Sequence, residues 1–225
     1  VRDLNRTRTP LMDGRSAAVN RLHKVLPDAN IKLAGVATDV IGVSGRAILQ
    51  AILGGTTDPA TLAELAKGKL RKKRDKLEQA LTGRVNAHHQ LLLTVHLELI
   101  DSLDEAIERL SQQIAEKLRP VEGELARLDT IPGVGQHTAE VLAAEIGLDM
   151  AQFPTAGHLA SWAGMCPGNH ESAGKHKGGK TRRGSKWLRR ALIEAACAAG
   201  RARRTYLGGQ YRRLVVRRGK QRAVV

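Results

Sequence analysis

The stretch LEQALTGRVNAHHQLLLTVHLELIDSLDEAIERLSQQIAEKL, residues 77–118, decides the fold. Apolar or weakly polar residues recur at 77, 81, 85, 88, 92, 95, 99, 103, 107, 110, 114 and 118. These steps of three and four follow the α-helical repeat, not the alternation of a strand and not a strict heptad. With the residues before it, the pattern predicts helix from Thr61 to about Arg119, weakened at Gly83 and ended or kinked by Pro120. A helix this long cannot bury its stripe in a small local core, so it is expected to pair with another helix, in this chain or in a second copy. His88 falls on the stripe and reads as a packed residue, not a ligand. Asp101, Asp104, Glu105 and Glu108 sit at surface spacing and read as a solvated face.

Working outward, residues 11–26 carry a helical stripe of Leu11, Val19, Leu22, Val25 and Leu26, closed by Pro27. Residues 30–45 are rich in Gly and Val and read as a loop or short extended stretch. A helix over 44–53 follows, with Ser44 as its cap and Gly54-Gly55 at its end, and Asp58-Pro59 opens the next one. Downstream, a short helix at His158–Trp162 runs into a Pro-Gly loop, and Ser185 reads as the cap of a final helix reaching about Gly200. The fold class is mostly α: a long coiled-coil-like helix followed by a compact helical domain. The expected divisions are 1–60, 61–120 and 121–225. The five aromatic residues leave Ala and Leu to fill the core. They also argue against single-strand binding by base stacking.

Charge is segregated. Residues 1–171 hold 20 Lys+Arg against 21 Asp+Glu, whereas residues 172–225 hold 17 against the single acid Glu194. Such a concentration is the footprint of a polyanion partner, nucleic acid first. An anionic membrane is the weaker reading, because the basic stretch lacks a wide apolar face. Cys166 and Cys197 form neither a disulfide framework nor a metal spacing, and His170 and His176 near Cys166 add no paired ligand motif, so no metal site is expected in this chain. No secretory signal or long apolar run is visible, which predicts a soluble, cytoplasmic protein without membrane contact.

Two segments carry chemistry. In Leu128-Asp-Thr-Ile131-Pro-Gly133-Val-Gly135-Gln-His-Thr-Ala139, a Gly-x-Gly turn between helices resembles the helix–hairpin–helix DNA-binding motif. Gly133 and Gly135 would let the backbone approach a phosphate, and the amides opening the next helix would face its oxygens. Such a grip reads no sequence. The competing reading is a structural corner that happens to use glycines. The second segment, Glu171-Ser172-Ala-Gly174-Lys175, presents a serine ahead of a cationic run. Lys175, Lys177, Lys180, Arg182, Arg183, Lys186, Arg189 and Arg190 are candidate contacts to a nucleic-acid backbone. From local residues alone Ser172 is more readily a turn former. A hydroxyl becomes a nucleophile only when activated, and nearby cations could stabilise charge building on a phosphate.

The order of these segments is similar to the IS 110 / IS 116 / IS 902 family of insertion-sequence transposases. The matching residues include Arg2-Asp-Leu4 with Arg6, Asn30-Ile-Lys-Leu33, Gly42-Val-Ser-Gly-Arg46, Asp58-Pro59, Ile131-Pro-Gly-Val-Gly135, Glu145-Ile-Gly147 and Phe153-Pro154. They continue through His158-Leu-Ala-Ser-Trp-Ala-Gly164, Cys166-Pro-Gly-Asn169, Glu171-Ser-Ala-Gly-Lys175 and Gly184-Ser-Lys-Trp-Leu-Arg189. The resemblance implies an RNA-guided DNA recombinase with an N-terminal RuvC-like domain, a coiled-coil linker that joins subunits, and a C-terminal domain whose nucleophilic serine corresponds to Ser172. DNA, a guide (bridge) RNA and a second copy through the long helix are the implied partners. No four-acid set precedes Arg2 and the chain opens without an initiator Met. The RuvC-like domain, and the divalent metal (Mg) it would hold, are therefore expected to lie outside this chain. The rival reading is a helix–hairpin–helix module that binds nucleic acid and turns nothing over.

Overall fold

The structure is a computed structural model that describes residues 1–166, 170–178, 181 and 183–225, with backbone alone at 170, 171 and 176–178. It is mostly α, and its chain forms two units: residues 8–109, and residues 1–7 with 110–225.

The first unit takes most of helix α1 (Arg2–Asp28), then α2 (Val43–Leu53), α3 (Pro59–Glu64), α4 (Arg74–Ala80) and the first two-thirds of α5 (Ala87–Leu118). Leu22 and Leu26 of α1, Ile48 and Leu49 of α2, and Leu93 and Ile100 of α5 share its core. Asp58 caps α3 as expected, accepting the Thr61 amide at 2.8 Å, with Pro59 in the first turn. α2 is capped differently. Gly42 takes the cap position, and Ser44 Oγ instead accepts the Lys67 amide at 2.9 Å.

The helix expected from 61 to 119 is interrupted. α3 stops at Glu64, a 3-10 stretch runs from Gly68 to Lys73, α4 stops at Ala80, and α5 starts only at Ala87. Two causes are local. Gly68 has a left-handed φ of +57°. At Gly83 the chain pairs with an earlier loop, through Lys32 N to Ala80 O at 2.8 Å and Arg84 N to Ala29 O at 2.9 Å. A β-carbon at 83 would stand 2.4 Å from the Ala29 oxygen. Asn86 then restarts the helix: its Oδ1 accepts the His89 amide at 2.9 Å while its own amide donates back to His89 Nδ1 at 3.4 Å, a capping box.

The stripe of α5 keeps the expected phase at Leu103, Ile107, Leu110, Ile114 and Leu118, which are buried or half-buried, but departs from it in the first half of the helix. Leu93, Leu97 and Ile100 are buried, whereas Leu91, Val95 and Leu99 are exposed at 62%, 48% and 40%, and His88 is exposed. Residues 91–100 are apolar on both sides, so spacing alone could not choose the inner face. Of the expected solvated face, Asp101, Glu105 and Glu108 are exposed and Asp104 is half-buried, but the two aspartates also hold ion pairs. Arg46 of α2 pairs with both, and Arg15 of α1 clasps Asp104.

The second unit contains the end of α5, then α6 (Glu122–Asp129), α7 (Gln136–Ile146), α8 (Ala156–Trp162), a hairpin of β1 (His170–Ser172) and β2 (Lys175–Gly178), α9 (Lys186–Arg201), α10 (Tyr206–Arg218) and α11 (Lys220–Val224). Ser185 caps α9, accepting the Leu188 amide at 3.2 Å. The final helix does end near Gly200, but two more follow. Its core is small-residue packing: Ala139, Ala163 and Ala195 with Val134, Leu142 and Leu188. Backbones therefore approach closely. A β-carbon at Gly200 would meet the Tyr211 ring at 2.8 Å, which fixes α10 against α9.

Candidate nucleic-acid interface

Ser172 ends strand β1 and pairs in register with Lys175, the first residue of β2. Ala173 and Gly174 between them have φ of 51° and 71°. Two consecutive left-handed residues are what a tight type I′ hairpin turn requires, and a glycine in the second position relieves half of the strain. Ser172 and Lys175 are both exposed. The serine thus stands beside the hairpin turn, directly across the ladder from a lysine.

The base of this excursion is pinned. The chain leaves α8 through Ala163-Gly164 and returns at Gly184. A β-carbon at Gly184 would lie 2.3 Å from the Ala163 oxygen and 2.7 Å from the Gly164 nitrogen, so only glycine allows that contact. Arg189 Nη2 donates to the Gly164 carbonyl at 2.6 Å and locks it from α9.

Beside that base, Arg183, Lys186, Arg189 and Arg190 line one cleft of about 550 Å³, together with Ile193 and Glu194. Four of the cations expected to contact nucleic acid therefore converge. They are not equivalent. Arg189 is committed to Gly164, Arg190 Nε pairs with Glu194 at 2.8 Å, and Lys186 lies over the Trp187 ring at 4.9 Å. Arg183 is exposed at the cleft. Lys180 and Arg182 lie outside the described residues, as does the side chain of Lys177.

The two glycines of the 130–135 turn have different duties. Gly133 has φ +91°, and a β-carbon there would stand 2.2 Å from the Ala195 oxygen and 2.7 Å from the Ala199 nitrogen of α9. Its missing side chain serves packing inside the protein. Gly135 has open space around it, is exposed, and caps α7 with no side-chain partner for the first-turn amides. Of the expected pair, only Gly135 leaves its backbone open to solvent, as a phosphate contact would require.

Sequence reasoning missed the polar node beneath α7. Glu145 is 3% exposed and accepts a bidentate pair from Arg6, Nε at 2.7 Å and Nη2 at 2.9 Å. Ser185 Oγ donates to it at 3.0 Å, so one hydroxyl both caps α9 and serves Glu145. Arg2 adds hydrogen bonds to the Ala144 and Glu145 carbonyls at 3.0 and 3.3 Å. Burial alone would raise the Glu145 pKa. The hydrogen bonds of Arg6 and Ser185 and the charges of Arg6 and Arg2 outweigh it, so the carboxyl titrates below the ordinary glutamate range. The same bonds push the Arg6 guanidinium pKa up. The signal was two glutamates, Glu140 and Glu145, inside the otherwise apolar run Ala139–Ile146. The node joins three segments, Arg2–Arg6, Glu145–Gly147 and Gly184–Arg189, that stand far apart in sequence.

Residues 125–212 match the sequence profile of the transposase IS116/IS110/IS902 family. The matched region takes in the glycine turn, the serine hairpin and the basic cleft. The chain is 42% identical over 90 residues to an uncharacterized 43.6 kDa protein of insertion element IS110 from Streptomyces coelicolor, covering 37% of this chain and 21% of that protein. It is 33% identical over 107 residues to the transposase for insertion sequence element IS1328 from Yersinia enterocolitica, covering 44% and 32%. The alignments thus span less than a third of the curated relatives' own length. No solved structure matches. Among the described residues, no group of three or more His, Cys, Asp or Glu is placed to hold a metal ion, and no helix is long and apolar enough to cross a membrane.

Proposed function

We propose that this chain handles DNA for an insertion-element transposase and that Ser172 is its nucleophile. The observation that carries the reading is the exposed hydroxyl on a hairpin tip, paired in register with Lys175 and anchored at its base beside a cationic cleft. The similarity of residues 125–212 to transposases supports it.

The chemistry is a transesterification. Ser172 Oγ attacks a backbone phosphorus, the P–Oγ bond forms as a P–O bond to sugar breaks, and the serine's proton passes to solvent or a base while the departing sugar oxygen gains one. A second sugar hydroxyl then reverses the step on an exchanged end. Bond energy is kept in the phosphoserine, so no nucleotide cofactor is needed. Lys175 and the cleft cations offset charge on the phosphorane. The Gly135 end of α7 grips a phosphate without reading bases, in the manner of a helix–hairpin–helix. A divalent metal, where the RuvC-like domain of such proteins supplies one, would polarise a phosphate oxygen. A guide RNA and cytoplasmic residence belong to the same proposal. So does self-association through α5, supported by the exposed, four-residue spacing of Leu91, Val95 and Leu99.

The test is a covalent adduct. DNA carrying an element end is incubated with the chain, with and without a family RuvC-like domain and Mg²⁺, and the products are denatured and mapped by mass spectrometry. A phosphodiester-linked peptide containing Ser172, absent in Ser172→Ala while binding persists, is expected. An adduct of equal yield in Ser172→Ala refutes the assignment. Tight binding with no adduct under any of these conditions favours the non-catalytic nucleic-acid module.

A further inference from the structure

A second cationic cleft lies in the 8–109 unit, far in sequence from the C-terminal charge. Residues 67–76, Lys67-Gly-Lys-Leu-Arg-Lys-Lys-Arg-Asp-Lys76, hold seven cations and one acid, and all seven cations are exposed. Lys67, Lys69 and Lys73 line a cleft of about 450 Å³ together with Asp39 and the Gly42–Ser44 opening of α2. Ser44 Oγ accepts the Lys67 amide at 2.9 Å, tying the two segments and leaving its own O–H able to donate. Lys73 Nζ donates to the Val36 carbonyl at 3.2 Å, which holds the ammonium among the lining residues. No side chain caps α2, so its first amides add donors to the same place.

Gathering like charges around a concavity costs self-repulsion unless something anionic offsets it. The protein supplies little. Among the described residues of this segment only Arg74 pairs with a carboxylate, Glu64 at 2.8 Å. Asp39 is the one acid lining the cleft, and its Oδ1 already accepts the Ile41 amide at 2.9 Å. The chemistry also selects among anions. Arg71, Lys72 and Lys76 extend the charge beyond the cleft, which suits a polymer better than one small ion. No aromatic side chain lines the cleft, so bases have nothing to stack on. We infer that residues 67–76 and the opening of α2 form a second nucleic-acid site, which grips phosphodiester backbone and reads no bases. The site requires neither Ser172 nor the 172–225 cations.

The experiment uses the whole chain. Acetylation rates of Lys67, Lys69 and Lys73 are read by mass spectrometry, alone and with a DNA duplex, an RNA duplex or polyglutamate. Protection of several-fold by DNA or RNA is expected, and whichever duplex protects identifies the source of the backbone. In parallel, Lys67→Gln, Lys69→Gln and Lys73→Gln combined should lower the slope of log K against log salt by about two to three, since each phosphate contact contributes about 0.9. Unchanged reactivity with both duplexes overturns the site, as does equal protection by polyglutamate. Ser172→Ala should leave the protection intact, so a failed serine assignment and a failed second site are told apart.

Discussion

Gly133→Ala and Gly135→Ala separate packing from binding within one turn. At Gly133 an added methyl would stand 2.2 Å from the Ala195 oxygen and 2.7 Å from the Ala199 nitrogen. Ordinary carbon contacts begin at about 3.5 Å, so the turn or the α9 backbone must yield by more than about 1 Å. Left-handed φ costs an L-residue about 1–2 kcal/mol. Overpacking a filled site adds about 1–3 kcal/mol. The expected loss is therefore about 3 kcal/mol, which lowers a urea midpoint by about 1–3 M at the usual slope for a small domain. The assay reads this unit alone, because the two tryptophans, Trp162 and Trp187, both belong to it. Gly135 has φ −105° and open space, so Gly135→Ala should cost no more than about 1 kcal/mol, the deficit of alanine as a helix cap. Its effect should fall on DNA affinity instead. A Gly133→Ala midpoint within about 0.3 M of the parent, or equal losses at the two positions, would refute the division of labour.

Three further outcomes follow from the same geometry. The folded Glu145 pKa is depressed, so its stabilising contribution is complete above the ordinary glutamate value of about 4.3 and is lost as pH falls through the folded pKa; Glu145→Gln should flatten that acid limb of a melting-temperature profile, and a limb identical to the parent's would contradict the node. Ser185→Ala removes both a helix cap and a donor to a buried carboxylate, about 2 kcal/mol together, measured by the same tryptophan-monitored urea melt; a change under about 0.5 kcal/mol would mean the hydroxyl serves neither. Leu91→Gln with Leu99→Gln should leave circular dichroism and melting unchanged but reduce self-association in sedimentation; an unaltered oligomer would remove α5's exposed face from the interface.

The sequence made the helical class and the Asp58 and Ser185 caps legible, because each depends on neighbours within a turn or two, whereas the segment that read as a loop around Ser172 is a two-stranded hairpin. What it hid depends on partners far away. The phase of α5 was undecidable where residues 91–100 are apolar on two sides, and α1 and α2 supply the partners that choose it. Ser44 has the chemistry of a cap, yet Gly42 holds that position and the Lys67 amide claims the hydroxyl. Asp101 and Asp104 have surface spacing, but Arg46 and Arg15 reach them across 55 and 89 residues. Averaging hid the second cationic cleft as well. Seven of the 20 cations in residues 1–171 fall within 67–76, and a near-zero total over the whole stretch cancels them against acids elsewhere.

Scarcity of aromatic residues explains how the cations divide. A core of Ala and Gly brings backbones together but leaves few large side chains to fix one segment against another. Guanidinium groups take over that task at Arg189 on Gly164, at Arg6 on Glu145 and at Arg2 on the end of α7. Arginine suits it, since a rigid fork can satisfy a carbonyl or carboxylate and still present an exposed edge. Within the 183–194 cleft, Arg189 and Arg190 are therefore already engaged by the protein itself. The groups best placed to meet DNA are those the fold does not spend: Lys175 at the hairpin tip, Arg183 at the cleft, and the uncapped amides behind Gly135. A nucleophile whose hairpin is anchored at its base, by Arg189 on Gly164 and by the close approach of Gly184 to Ala163, would be held before DNA arrives, which is the condition under which electrostatic stabilisation costs no reorganisation at the moment of reaction.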